Sequence, residues 1–171
     1  GLFGNIDRLM EFNPGYINIT THHSEPVYRD MGNGMFSLGT IRRRPGTVAV
    51  ATAIHHRYRI PVVPHILCNG YTLEDTEYAL IDLQLSGITD ILVLRGDRCK
   101  VDANTAPAKC GNKYAIDLQR QVNRFNEGFF VDGTPIKAPG QPFSYGVACY
   151  PETPEEAPIL GSALAVLTKK A

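Results

Sequence analysis

The sequence has no surplus of charge of either sign. Lys and Arg together number 17 and Asp and Glu 17, so the formal charge is zero. Nonspecific nucleic-acid binding needs a net basic surface that displaces counterions, and this balance argues against it while leaving room for a local basic patch. Long hydrophobic runs are missing as well. The longest nearly apolar stretch, Val48 to Ile54, falls far short of the roughly 20 residues that a membrane span requires. The opening Gly1-Leu2-Phe3-Gly4 has neither the charged flank nor the cleavage site of a secretory signal. These absences lead us to expect a soluble, cytoplasmic protein with no nucleic-acid or membrane partner.

Cysteine is scarce and badly spaced for chemistry. None of Cys68, Cys99, Cys110 and Cys149 forms a C-x-x-C pair. Only Cys99 and Cys110 stand close enough to clip one loop, and free thiols are the better reading in a cytosolic protein. The doublets His22-His23 and His55-His56 lack the i, i+3 or i, i+4 spacing of zinc ligands, so no metal site is expected. There is no G-x-G-x-x-G and no P-loop, which removes support for a Rossmann fingerprint. No Ser-His-Asp set can be assigned from spacing.

What is present is an ordinary globular composition: 171 residues, 43% hydrophobic and 20% charged, the size of one domain spanning 1–171. Short β-rich runs alternate with helical patterns. Tyr16 to Thr20 reads as a strand after the turn signal Asn13-Pro14-Gly15. Thr47 is placed to cap a helix from Val48 to about Tyr58 that buries Val48, Ala51 and Ile54. Pro61 to Leu67 is a second apolar run whose two prolines reduce its ladder bonds. Thr72 and Asp75 resemble a capping box ahead of a helix from Leu73 to Leu85, in which Leu73, Leu80 and Leu83 recur at helical spacing, and Gly87 ends it. Ile88 to Leu94 is continuously apolar at its centre, as in a parallel strand covered on both faces. A helix from Tyr114 to Asn126, a Gly- and Pro-rich excursion from Glu127 to Pro142, a strand from Phe143 to Tyr150 and a helix from Leu160 to Lys170 complete the order.

Strand alternating with helix implies βαβ crossovers and a parallel sheet. The pattern does not choose between an open doubly wound sheet and part of a closed barrel. A whole eight-stranded barrel takes about 250 residues, so a barrel with four predicted strands would be present only by half.

In either architecture ligands bind at the carboxyl ends of the strands. Those ends carry Thr20-Thr21-His22-His23, His65 with Cys68 beyond it, Arg95-Gly96-Asp97 and Tyr150-Pro151-Glu152. Polar, titratable and aromatic groups therefore gather where a site is expected. Each has a plainer reading. Arg95 and Asp97 would equally serve as a structural ion pair, His65 is more often a hydrogen-bonded core histidine, and Tyr150 would close the core. Arg42-Arg43-Arg44 is usually a solvated loop, with phosphate recognition ahead of the following helix as the minor alternative. If functional, Arg95 offers a planar fork for phosphate or carboxylate, and Gly96 lets the backbone approach a ligand.

The segments Arg44-Pro45-Gly46-Thr47-Val48-Ala49-Val50-Ala51, Pro64-His65-Ile66-Leu67-Cys68, Ala79-Leu80-Ile81-Asp82-Leu83, Leu94-Arg95-Gly96-Asp97 and Tyr150-Pro151-Glu152 resemble the methylenetetrahydrofolate reductase family, in order and spacing. Asp7 to Phe12 resembles the helix after that family's first strand. The resemblance implies a (β/α)8 TIM barrel, of which this chain holds about half, with FAD bound noncovalently. It further implies NADH or NADPH as co-substrate, a small-molecule folate as substrate, and reduction of 5,10-methylenetetrahydrofolate to 5-methyltetrahydrofolate.

Position by position, the resemblance makes Thr20 a nicotinamide contact. It makes His65, Arg95, Gly96, Asp97, Tyr114, Ala115 and Tyr150 FAD contacts, and Lys170 a more distal one. Asp97 is also the catalytic candidate, a carboxylate near the folate and the flavin ring. Thr20, His65, Asp97 and Tyr150 are then expected to share one hollow. The family's general-acid glutamate would fall before Gly1 and its folate-binding glutamine after Ala171. Thr21 stands where many members have tyrosine, Pro154 in the place of a histidine, and Ala163 in that of an aspartate that holds adenosine. Two other readings stay open: a noncatalytic half-barrel that binds or assembles with another chain as a homo-oligomer, and an unrelated α/β enzyme acting on a phosphorylated substrate.

Overall fold

A computed structural model describes residues 1–22, 25–41, 43–96 and 111–148. Its elements are α1 (Leu2–Met10), β1 (Ile17–Ile19), β2 (Glu25–Gly32), β3 (Met35–Ile41), α2 (Thr47–Tyr58), β4 (Val62–Leu67), α3 (Leu73–Leu85), β5 (Asp90–Leu94), α4 (Ala115–Asn126) and β6 (Ser144–Val147). The expected Leu160–Lys170 helix and the Cys99–Cys110 question lie outside the described residues.

β1, β4, β5 and β6 form one parallel sheet in that order. Strand order follows chain order with no reversal, whereas an open doubly wound sheet reverses at a switch point and carries helices on both faces. Register fixes which side chains share a face, because paired residues in a parallel ladder point the same way. Ile17 and Ile19 pair with Val62 and Pro64, and Ile66 with Val93, which in turn pairs with Val147. These residues face the helices. Ala51 and Ile54 of α2, Leu80 and Leu83 of α3, and Leu118, Val122 and Phe125 of α4 close over them in one hydrophobic core. Each large side chain buried there contributes about 1.5–3 kcal/mol. The arrangement is an α/β fold consistent with part of a TIM barrel; among the described residues the sheet does not close.

The opposite face carries Val63, His65, Leu92 and Leu94, all half-buried. This corrects the expectation that β5 is covered on both sides: only Ile91 and Val93 are fully buried, because the helices stack on one face alone. Pro64 sits inside a central strand without breaking it. The Cys68 N–H donates to the Leu94 carbonyl, so by the two-residue period the Pro64 position would turn its missing donor toward β5. The β4–β5 ladder starts only at His65 and Leu92, so little pairing is lost there.

Local chemistry sets the helix ends. At α3 the Thr72 hydroxyl accepts from the Asp75 N–H at 3.0 Å while the Asp75 carboxylate accepts from the Thr72 N–H at 3.0 Å, the reciprocal capping box that the sequence predicts. Gly87, at φ 74°, follows the last turn. At α2 the expectation fails. Gly46 is the N-cap, with its carbonyl accepting from Val50 N–H, and Thr47 is the first helical residue.

The largest surprise lies between β1 and α2. β2 and β3 form an antiparallel hairpin, so the described residues hold six strands rather than four. Its turn is Asn33-Gly34, with φ 55° and 74°, the two positive values that a type I′ turn demands. The 127–142 excursion is irregular, as expected. Asn126 pins its end by donating to the Phe143 carbonyl at 3.0 Å and accepting from the Phe143 N–H at 2.8 Å.

Candidate functional site

The carboxyl ends of β1, β4 and β5 lie side by side. Ile19 pairs with Pro64, so Thr20 and His65 stand at neighbouring positions one step on, on strands about 4.8 Å apart. A hydrogen-bonded chain fixes this junction. Thr21 donates its hydroxyl to the His65 carbonyl at 2.5 Å, and its oxygen lies 2.7 Å from the Thr47 hydroxyl. A hydroxyl has one proton. Since the carbonyl only accepts, Thr47 must be the donor to Thr21. The start of α2, the end of β1 and the middle of β4 are thereby joined.

The His65 side chain belongs to the open face of the sheet, beside Leu92. Its Nε2 is buried and has no hydrogen-bond partner. Burial pushes the imidazole pKa below its ordinary 6.5, because desolvation disfavours the cation. At neutral pH the ring is uncharged.

The next strand end is knitted to β4 by Asn69. Its backbone N–H donates to the Arg95 carbonyl and its side-chain amide to the Gly96 carbonyl, each at 3.1 Å. Gly96 has φ 82°, a value that an L side chain rarely adopts. The Arg95 guanidinium lies over the Tyr114 ring, 5.2 Å from its centre, and Lys113 approaches the same ring at 5.3 Å. Tyr114 is the N-cap of α4, its N–H held by the Asp117 carboxylate at 3.1 Å. Ala115 is buried and packs in the core.

Of the predicted site residues, the structure therefore sets Thr20 beside His65, and joins Arg95 and Gly96 to Tyr114 around the end of β5. Ala115 sits beneath rather than among them. Asp97, Tyr150 and Lys170 lie outside the described residues, as do Pro154 and Ala163. The sequence reading missed Thr21, Thr47 and Asn69 as positioning residues. Thr21 and Thr47 act on partners far away in the chain, and only the Asn69-Gly70 turn signal beyond β4 was open to view.

A separate cleft of about 540 Å³ runs along the free edge of β1 between α1 and α2. Ile6, Ile17, Ile19 and Ile54 give it an apolar floor, and Arg43 and Arg44 stand at its rim. It takes in Thr20 but none of His65, Arg95 or Tyr114, so it is not where the strand-end residues converge. Among the described residues no three His, Cys, Asp or Glu side chains come together as metal ligands.

A family model described as methylenetetrahydrofolate reductase matches residues 1–171, the whole chain. The chain belongs to the methylenetetrahydrofolate reductase family. A comparison with curated proteins finds no match. Membership places the protein among folate-related oxidoreductases of one-carbon metabolism. Among the described residues no helix is long and apolar enough to cross a membrane.

Members of this family generally bind FAD, and the residues present fit such a group. An unpartnered imidazole nitrogen waits on an open, half-apolar face of the sheet. Beside it, a glycine with positive φ leaves the end of β5 bare of side chain, next to an arginine able to grip phosphate.

Proposed function

We propose that this chain serves a flavin-dependent methylenetetrahydrofolate reductase, which reduces 5,10-methylenetetrahydrofolate to 5-methyltetrahydrofolate in the cytoplasm. NADH or NADPH is the reductant and noncovalently held FAD the cofactor. On this reading the parallel sheet is half of a (β/α)8 barrel, and residues 1–171 are one partial barrel domain.

FAD, when bound, supplies the hydride-carrying chemistry, and the protein's share is binding, orientation and electrostatics. His65 would hold the cofactor through its unpartnered Nε2, Arg95 through its guanidinium fork, and Gly96 through close backbone approach. Tyr114 keeps the Arg95 fork in place by cation–π attraction, and Ala115 backs the start of α4. Thr20 is assigned to the nicotinamide. Asp97, Tyr150 and Lys170 are assigned by resemblance, with Asp97 as the catalytic residue whose negative charge tunes hydride transfer.

The observation that carries this reading is the buried, partnerless Nε2 of His65 on the open face. A buried polar atom without a partner costs about 1–3 kcal/mol, which a ligand's hydrogen bond would recover. The test is purification of the intact protein. We expect flavin absorbance and oxidation of NADH or NADPH with a quinone acceptor. His65→Ala should weaken FAD binding by about 5- to 10-fold, the worth of one hydrogen bond. Protein that shows no flavin, takes up none on addition of FAD and oxidises neither nucleotide would refute the proposal.

A further inference from the structure

The β2–β3 hairpin is the least explained part of the molecule. Tyr28 and Leu38 pair directly across the strands, and Phe36 pairs with Asp30. Alternation along each strand therefore puts Tyr28, Phe36 and Leu38 on one face, and they are 66%, 64% and 44% exposed. Met31 and Met35 at the tip are 65% and 63% exposed. None of these five belongs to the core or packs against it among the described residues. An isolated two-stranded ribbon is at best marginally stable in water, and a contiguous exposed apolar patch of this kind marks an interaction surface.

We propose that this hairpin face is the contact between two copies of the chain, joined about a twofold axis so that the Tyr28, Phe36 and Leu38 stripes pack against each other. Area points to a protein of matching shape. At 150–250 Å² for a buried aromatic and somewhat less for Met and Leu, the exposed parts of the five side chains come to roughly 500 Å² per copy. That is the larger part of the roughly 800 Å² per partner that a stable interface buries, and flanking residues would supply the rest.

Charge selects a like partner. The charged side chains described on the two strands are Arg29 and Asp30 alone, which leaves no patch that would steer a strongly acidic or basic protein. The chain's formal charge of zero lets two copies approach without net repulsion. A twofold contact uses the same patch twice, so the stripe need only complement itself. This inference does not rest on the reductase reading, since no site residue takes part in it.

The experiment is light scattering on the intact protein across a micromolar dilution series, with Tyr28→Glu, Phe36→Glu and the control Leu85→Glu. Leu85 is 87% exposed on α3. We expect the mass of two copies, or an even multiple, for the parent and the control, and association at least tenfold weaker in the two hairpin variants. Hydrogen exchange of the parent keeps the test independent of whether the variants fold: amides 25–41 should gain protection as concentration rises. A monomeric parent, hairpin variants that associate like the parent, or concentration-independent exchange over 25–41 would each overturn the proposal.

Discussion

His65 shows how one side chain records both burial and function. Its pKa is depressed by desolvation, so between that lowered value and the ordinary 6.5 the unfolded chain binds more protons than the folded one. Stability therefore rises with pH across this window and is lost as pH falls below 6.5. Denaturant midpoints taken from pH 7.5 down to pH 5 should drop, and His65→Gln, which cannot titrate, should flatten that part of the profile. An identical slope in the variant would assign the drop to other groups. Thr21 makes a different kind of test. It joins two partners where Thr47 joins one, so Thr21→Val should cost about 1–3 kcal/mol and Thr47→Val less. The double variant should fall short of the sum, because both substitutions break the same chain of bonds. Strict additivity in urea melts would mean that the hydroxyls act separately.

Elements were legible in the sequence where their determinants are local. The Thr72–Asp75 box announces α3 because both partners lie within one turn, and Thr72→Ala should lower stability by about 1 kcal/mol, read from the denaturant midpoint. Thr47 misled for the opposite reason. Threonine favours the cap by local preference, but here its hydroxyl is claimed by Thr21 from another strand, and Gly46 takes the cap instead. The hairpin was readable through Asn33-Gly34, whose positive φ values make the turn. It escaped notice because its apolar residues, Tyr28, Phe36 and Leu38, feed no core and so resemble a polar excursion with scattered hydrophobics. At the candidate site, His65, Arg95 and Gly96 stood out as polar breaks at the ends of apolar runs. The lateral setting of Thr20 beside His65, and the bridging by Asn69 to Arg95 and Gly96, are properties of register that no single segment carries.

For the molecule as a whole, the sheet's two faces do different work, and β5 carries both within adjacent residues. Ile91 and Val93 point into the helices and are almost fully buried, whereas Leu92 shares the open face with its ladder partner His65. Truncating a side chain in a close-packed core loses transfer energy and leaves a cavity, so Ile91→Ala should destabilise by about 2–4 kcal/mol. Leu92→Ala removes atoms that already meet solvent on a face without helices, and should cost no more than about 1 kcal/mol. Ligand binding should sort the other way. If the open face receives FAD, Leu92→Ala should weaken flavin retention in the intact protein. Ile91→Ala, assayed well below its melting temperature, should retain flavin like the parent. Urea midpoints and flavin fluorescence on the same two variants separate the roles. Equal stability losses would show that a second layer covers the open face in the intact protein, and equal flavin retention would move the cofactor away from Leu92.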